Sequence, residues 1–334
     1  YREGDIIGGN SGSTFLRVRT SLVDMANNIL LCSPSCPSIP AMMVTETATM
    51  TSEASTPEPR NVFTYNKDTT RVEIPNNVTH LRVDPSVKEI HDTAFHYCGS
   101  LVEVEFSEGL EVIGIKAFSH CKNLKSINKL PSTLKEIADF SFWRCASLDS
   151  IEFPEGLQVI GKSAFQECGE LKRIKIPSAH VVIGWGAFTK CTCLVSVELP
   201  EGLQVIGENW FWECTSLTTV NVPSSVIEIQ DCAFHDCTSL ASLDLPEGLQ
   251  SIGKRSFDRC TLLTSFHVPS TVCKIGSSAF ASCTGLRSIT LPETLEIIED
   301  RTFDECISPT HIEIPPTVTE SWRLECLRFN IGRA

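Results

Sequence analysis

Apolar positions return along this chain at fixed places rather than at a helical period. Leu171, Ile174 and Ile176 alternate with the charged Arg173 and Lys175, and Pro177 follows. Such alternation predicts a strand with one buried face, ended by a proline that has no N–H to give. A second short apolar run, such as Leu157 to Ile160, predicts another strand, and Gly161 then turns the chain. Ala164, Phe165 and Cys168 predict a tight turn or short helix that closes one coil.

The unit repeats. Phe95, Phe118, Phe142, Phe165, Phe188, Phe211, Phe234, Phe257, Phe280 and Phe303 stand 23 residues apart, with one step of 24 between Phe118 and Phe142. A cysteine follows each by three, from Cys98 to Cys306, and a leucine by six, from Leu101 to Leu286. Pro309 takes the leucine's place in the last coil. A period of roughly 20–29 residues carrying L-x-x-I/L-x-L belongs to leucine-rich solenoids. The pattern predicts a repeat solenoid: a right-handed leucine-rich repeat coil of about ten 23-residue turns, mainly parallel β with short helices or turns. One coil cannot bury its apolar residues alone, so stability comes from stacking neighbours.

Four segments follow from this ruler. Residues 1–60 form an N-terminal extension, whose stretch from Thr45 to Arg60 is a low-complexity linker. Residues 61–94 are degenerate capping coils, seen in Val72, Ile74 and Pro75 and again in Leu81, Val83 and Pro85. Residues 95–318 are the regular repeats. Residues 319–334, with Trp322, Leu324, Leu327 and Phe329, are a C-terminal cap or a truncated coil. Tyr1 is not a methionine, so the sequence reads as a fragment or processed form.

The repeat resembles the BspA-like, or treponemal-type, leucine-rich repeat family over roughly three quarters of the chain. Ile160, Gly161, Ala164, Phe165, Cys168, Leu171, Ile174, Ile176 and Pro177 fill that family's slots. The resemblance implies an interaction protein; some bacterial members are surface adhesins for host matrix proteins.

The net charge of −13 removes the basic stripe that nucleic acid requires and argues equally against anionic membranes. The apolar run at Ile29 to Leu31 is too short to span a bilayer. Ten of the 16 cysteines form the column after the phenylalanines. Adjacent coils hold equivalent Cβ atoms about 4.8 Å apart, too far for the roughly 3.5–4.5 Å of a bridge, so the column reads as buried free thiols. Cys32, Cys36, Cys193, Cys232, Cys273 and Cys326 share no slot. Cys32 and Cys36 lack the second pair a metal site needs. Reduced thiols lean toward a reducing compartment, while the family resemblance allows the cell surface. Asn77 with Thr79 is a single glycosylation sequon. The eight histidines are scattered and no catalytic motif accompanies them, so no enzyme and no cofactor is expected.

Two surfaces carry binding chemistry. The outward strand slots make two columns. One runs Glu105, Asn128, Glu152, Lys175, Glu198, Asn221, Asp244, His267, Thr290 and Glu313. The other runs Glu103, Ser126, Ser150, Arg173, Ser196, Thr219, Ser242, Ser265, Ser288 and His311. This ribbon of hydroxyls and acids, with a basic spot at Arg173 and Lys175, suits a protein with a basic surface. The second surface is aromatic: Phe140, Trp143, Trp185, Trp210 and Trp212 replace smaller or polar residues near the closing turns. If exposed together they form an interface patch. The reading is a non-catalytic protein-interaction module; the alternative is an extracellular adhesin for matrix protein or glycan.

Overall fold

The computed structural model describes residues 61–69, 74–75, 77–307, 312, 314–318 and 320–321. The expected extension 1–60, the Cys32 and Cys36 pair, Pro309, His311, Glu313, Cys326 and most of the expected C-terminal cap lie outside the described residues. Two ribbons of parallel strands run the length of the solenoid. The broad ribbon begins with Val62–Tyr65, His80–Val83, Glu103–Glu105 and Ser126–Ile127, each paired in parallel with the next. It resumes as Arg173–Lys175, Ser196–Glu198 and Thr219–Asn221, and again as Ser265–His267 with Ser288–Thr290. The narrow ribbon is a ladder of two-residue strands, from Glu89–Ile90 to Val182–Ile183 and from Val205–Ile206 to Glu320–Ser321. Among the described residues the closing segments are turns and none is a helix.

The core is a stack of columns. Each repeat phenylalanine is fully buried, and consecutive rings lie nearly parallel with centroids 5.2–6.0 Å apart. Offset aromatic pairs of this kind contribute about 0.5–1.5 kcal/mol each beyond their buried area. Tyr65 covers the first ring: it is buried, meets Phe95 edge-on at 5.3 Å, and its hydroxyl accepts the His91 N–H at 3.4 Å. The first strand therefore closes the N-terminal end of the phenylalanine stack.

The cysteine column does a second job. Each thiol from Cys121 to Cys306 donates to the carbonyl of the phenylalanine in the coil before it, at 3.0–3.3 Å. That carbonyl already accepts an N–H within its own closing turn, so the thiol occupies its remaining lone pair. The thiols from Cys145 to Cys306 form no disulfide. Burial pushes their pKa values up, to about 12 for Cys191 and Cys306.

The closing segments reach into the next coil. Around Phe95, Ala94 donates its N–H to His91, His96 to Thr93 and Cys98 to Phe95. The alternate N–H groups of Thr93, Phe95 and Tyr97 donate to Ile115, Ala117 and Ser119 of the following coil. Thr93 (φ 58°) and Tyr97 (φ 63°) stand third in their turns, where type II geometry requires positive φ. The same two slots repeat down to Arg301 and Glu305, and only Gly186 is a glycine there. A non-glycine residue pays about 1–2 kcal/mol for this conformation, which the inter-coil hydrogen bonds hold in place.

Candidate interaction surface

The outward columns are real columns. Arg173 stands opposite Ser196 and Ser196 opposite Thr219; Lys175 stands opposite Glu198 and Glu198 opposite Asn221. Ser265 and His267 stand opposite Ser288 and Thr290. Glu152, Lys175, Glu198, Asn221, Asp244, His267 and Thr290 are exposed. In the column that begins at Glu105, two described members are occupied within the fold. The Glu105 carboxylate accepts Arg82 Nε–H at 2.9 Å. Asn128 accepts the Phe106 N–H at 2.8 Å and returns its own amide to the Phe106 carbonyl at 3.2 Å, so it bridges two coils.

The broad ribbon opens at two coils. Ser150 to Phe153 and Ser242 to Leu245 form no strand and make no main-chain hydrogen bonds to their neighbours. Arg173–Lys175 is thereby left as the edge of a three-stranded sheet. At the first opening lies a cleft of about 680 Å³, walled by Asp149, Glu152 and Glu155, by Lys172, Arg173 and Lys175, and by Glu198. None of these seven side chains forms an ion pair among the described residues. Asp149, Glu155 and Lys172 lie outside the strand slots, which is why counting strand columns overlooks them. Lys172 follows Leu171 directly, and that position is exposed in most coils.

The aromatic residues do not form the single patch the sequence suggests. Trp210 is only 5 % exposed and belongs to the core. It stands just before Phe211, in a slot that is alanine in most coils, and its indole lies over Gly207, where a Cβ would come within 2.2 Å of Nε1. Phe140 and Trp143 do adjoin, with centroids 5.7 Å apart, and continue through His120 to Tyr97, which is 65 % exposed. Trp185 and Trp212 make no ring contact with that group among the described residues. Cations cover these faces: Lys116 over Phe140, Arg144 over Trp143, Lys162 over Trp185 and Lys190 over Trp212, at 4.9–6.0 Å. The Arg144 and Lys190 cations are held in turn by Glu167 and Glu213 of the next coils. Opposite charges 23 residues apart were the sequence signal for this ladder.

Among the described residues no group of three His, Cys, Asp or Glu side chains could hold a metal ion, and no helix is long and apolar enough to cross a membrane.

Residues 88–218 and 204–323 match the model of the BspA type leucine rich repeat region. Among solved structures, a Treponema pallidum leucine rich repeat protein is 31 % identical, covering 54 % of this chain and 83 % of its own, with a TM-score of 0.47. A leucine rich cell surface protein of Faecalibacterium prausnitzii is 24 % identical, covering 74 % and 80 %, with a TM-score of 0.45. A leucine-rich repeat protein of Bacteroides ovatus is 23 % identical, covering 69 % and 85 %, with a TM-score of 0.38. No curated protein matches the sequence. With the family model spanning more than half of its length, the chain belongs to the BspA type leucine-rich repeat family.

Proposed function

We propose that the chain is a non-catalytic protein-interaction module whose broad ribbon docks a partner with a basic surface. The observation that carries this reading is the row of exposed carboxylates at Glu152, Glu198 and Asp244, none of them in an ion pair among the described residues, with Glu198 on a strand of the ribbon and Glu152 and Asp244 at its two openings. A rigid, pre-ordered surface loses little side-chain and loop entropy on binding. Acids at regular spacing would steer a basic partner toward this face and penalise acidic competitors.

The test is affinity capture by the full chain, with bound proteins identified by mass spectrometry and their salt dependence measured. A chain carrying Glu152→Lys and Glu198→Lys should lose the captured partner, and raised salt should weaken the wild-type complex. Unchanged capture by the charge-reversed chain would place binding elsewhere, and a chain carrying Trp143→Ser and Trp212→Ser then tests the aromatic edge.

A further inference from the structure

We propose that the cleft at the first opening of the broad ribbon selects an extended peptide segment in which one acidic residue is flanked by basic residues two positions to either side. This rests on the interaction reading above and names the partner's chemistry.

Three observations carry it. First, Lys175 faces Glu198 across the ladder, and Glu152 fills the same slot one coil earlier, so the cleft presents acid, base, acid along the solenoid axis. Second, these side chains are exposed and form no ion pairs with one another, so their charges are free to be matched by an occupant. Third, the ribbon is interrupted here. The main-chain groups of Ser150 to Phe153 bond to no neighbour, and Arg173–Lys175 is a sheet edge, so polar main-chain groups border a cleft of about 680 Å³. The second opening, at Ser242 to Leu245, has no basic residue in its outward slots: Ser242 and Asp244 stand there.

Size fits the pattern. Two coil steps separate Glu152 from Glu198: about 10 Å at ordinary strand spacing, which the paired step from Lys175 to Glu198 keeps and the open step from Glu152 to Lys175 is not held to. In an extended peptide, residues i and i+4 lie about 13 Å apart on one face, and two long arginine side chains can lean inward over that difference. The central carboxylate then meets Lys175, with Arg173 beside it.

The test uses the full chain and three fluorescein-labelled peptides: GRGEGRG, its neutral-centre relative GRGQGRG, and the all-basic GRGRGRG. Binding is followed by fluorescence anisotropy at low salt. Wild type should bind the acid-centred peptide about tenfold more tightly than the all-basic one, with the neutral-centre peptide between them. Lys175→Glu should invert the order, and Glu152→Lys should weaken the acid-centred peptide. If the all-basic peptide binds wild type best and Lys175→Glu strengthens it further, the acidic face stands as a docking site but the charge pattern proposed here is overturned. If no peptide binds while the full-length partner is still captured in a Glu152-dependent way, the cleft is not a peptide site and the proposal also fails. Loss of both peptide binding and partner capture would overturn the interaction reading with it.

Discussion

The Cys168 thiol donates to the carbonyl of Phe142, one coil earlier, at 3.3 Å. Phe142 also supplies a ring to the core stack, at 5.3 Å from Phe165. One coil thus grips the next both by packing and by a directed bond. Truncating Cys168 removes the weak donor and opens a small void against a buried carbonyl. Cys168→Ala should therefore cost about 1–2 kcal/mol. Urea unfolding, with the slope unchanged and the midpoint lowered, measures it. A midpoint equal to wild type would mean that the thiol contributes neither a net bond nor packing.

The same column makes the fold sensitive to alkali. Burial raises the pKa values of the thiols from Cys145 to Cys306 above their ordinary value of 9.0, to about 12 where a figure is fixed, at Cys191 and Cys306. Between pH 9 and 12 the unfolded chain has released these protons and the folded chain still holds them. With fewer protons on the unfolded side, stability falls as pH rises, and it is fully present below pH 9. Each such thiol removes up to about 1.4 kcal/mol per pH unit in that window. Urea midpoints measured in reductant from about pH 8 to about pH 11 should stay level and then drop steeply. Cys168→Ala should make the drop shallower, because one proton fewer is released.

Much of this was legible in the sequence, because stacking requires the same side chain at the same depth in every coil. The phenylalanine, cysteine and leucine columns have few chemical alternatives, so a period of 23 residues exposed them. The left-handed slots were not legible. Thr93, Lys116, Phe140 and Glu167 share no chemistry, because hydrogen bonds from the neighbouring coil impose their conformation. The cleft was half legible. Glu152, Arg173, Lys175 and Glu198 lie in the strand columns, but Asp149, Glu155 and Lys172 do not, and the interruption at Ser150 to Phe153 leaves no mark in a pattern that continues there in phase. Asn128 reads as free for a partner because its slot faces out and it is exposed, while its bonds to Phe106 depend on distances no spacing rule contains.

Thr93 offers a direct measure of the strain in the closing turns. It is β-branched, exposed and held at φ 58°. Glycine relieves about 1–2 kcal/mol of steric cost there but gives back about 0.5–1 kcal/mol through the freer unfolded chain. Thr93→Gly should raise stability by about 0.5–1 kcal/mol. Thr93→Pro should do the opposite, since the ring cannot reach positive φ and the bond from Thr93 N–H to the Ile115 carbonyl at 2.8 Å is lost. Thermal melts of the two variants should move in opposite directions from wild type.

Trp210 and Gly207 form a pair that neither residue explains alone. The indole occupies the space a side chain at Gly207 would need, with Nε1, Cε2 and Cζ2 all within 3.0 Å of a Cβ placed there. The ring also meets Phe211 edge-on at 6.3 Å. Gly207→Ala should therefore displace the tryptophan and cost about 2–4 kcal/mol, within the range of overpacked or disrupted cores. Trp210→Ala restores the residue type found at this slot in most coils but empties a cavity, at a cost of about 3–5 kcal/mol. The two costs should not add. Once the indole is gone, the methyl at position 207 has lost the atoms nearest to it, so the double variant should be more stable than the sum predicts by about 1 kcal/mol or more. Urea unfolding of all four chains closes the cycle. Strict additivity would show that the preceding coil's main chain, rather than Trp210, demands the glycine, as it does at Gly161, where a Cβ would lie 2.4 Å from the Asp139 nitrogen.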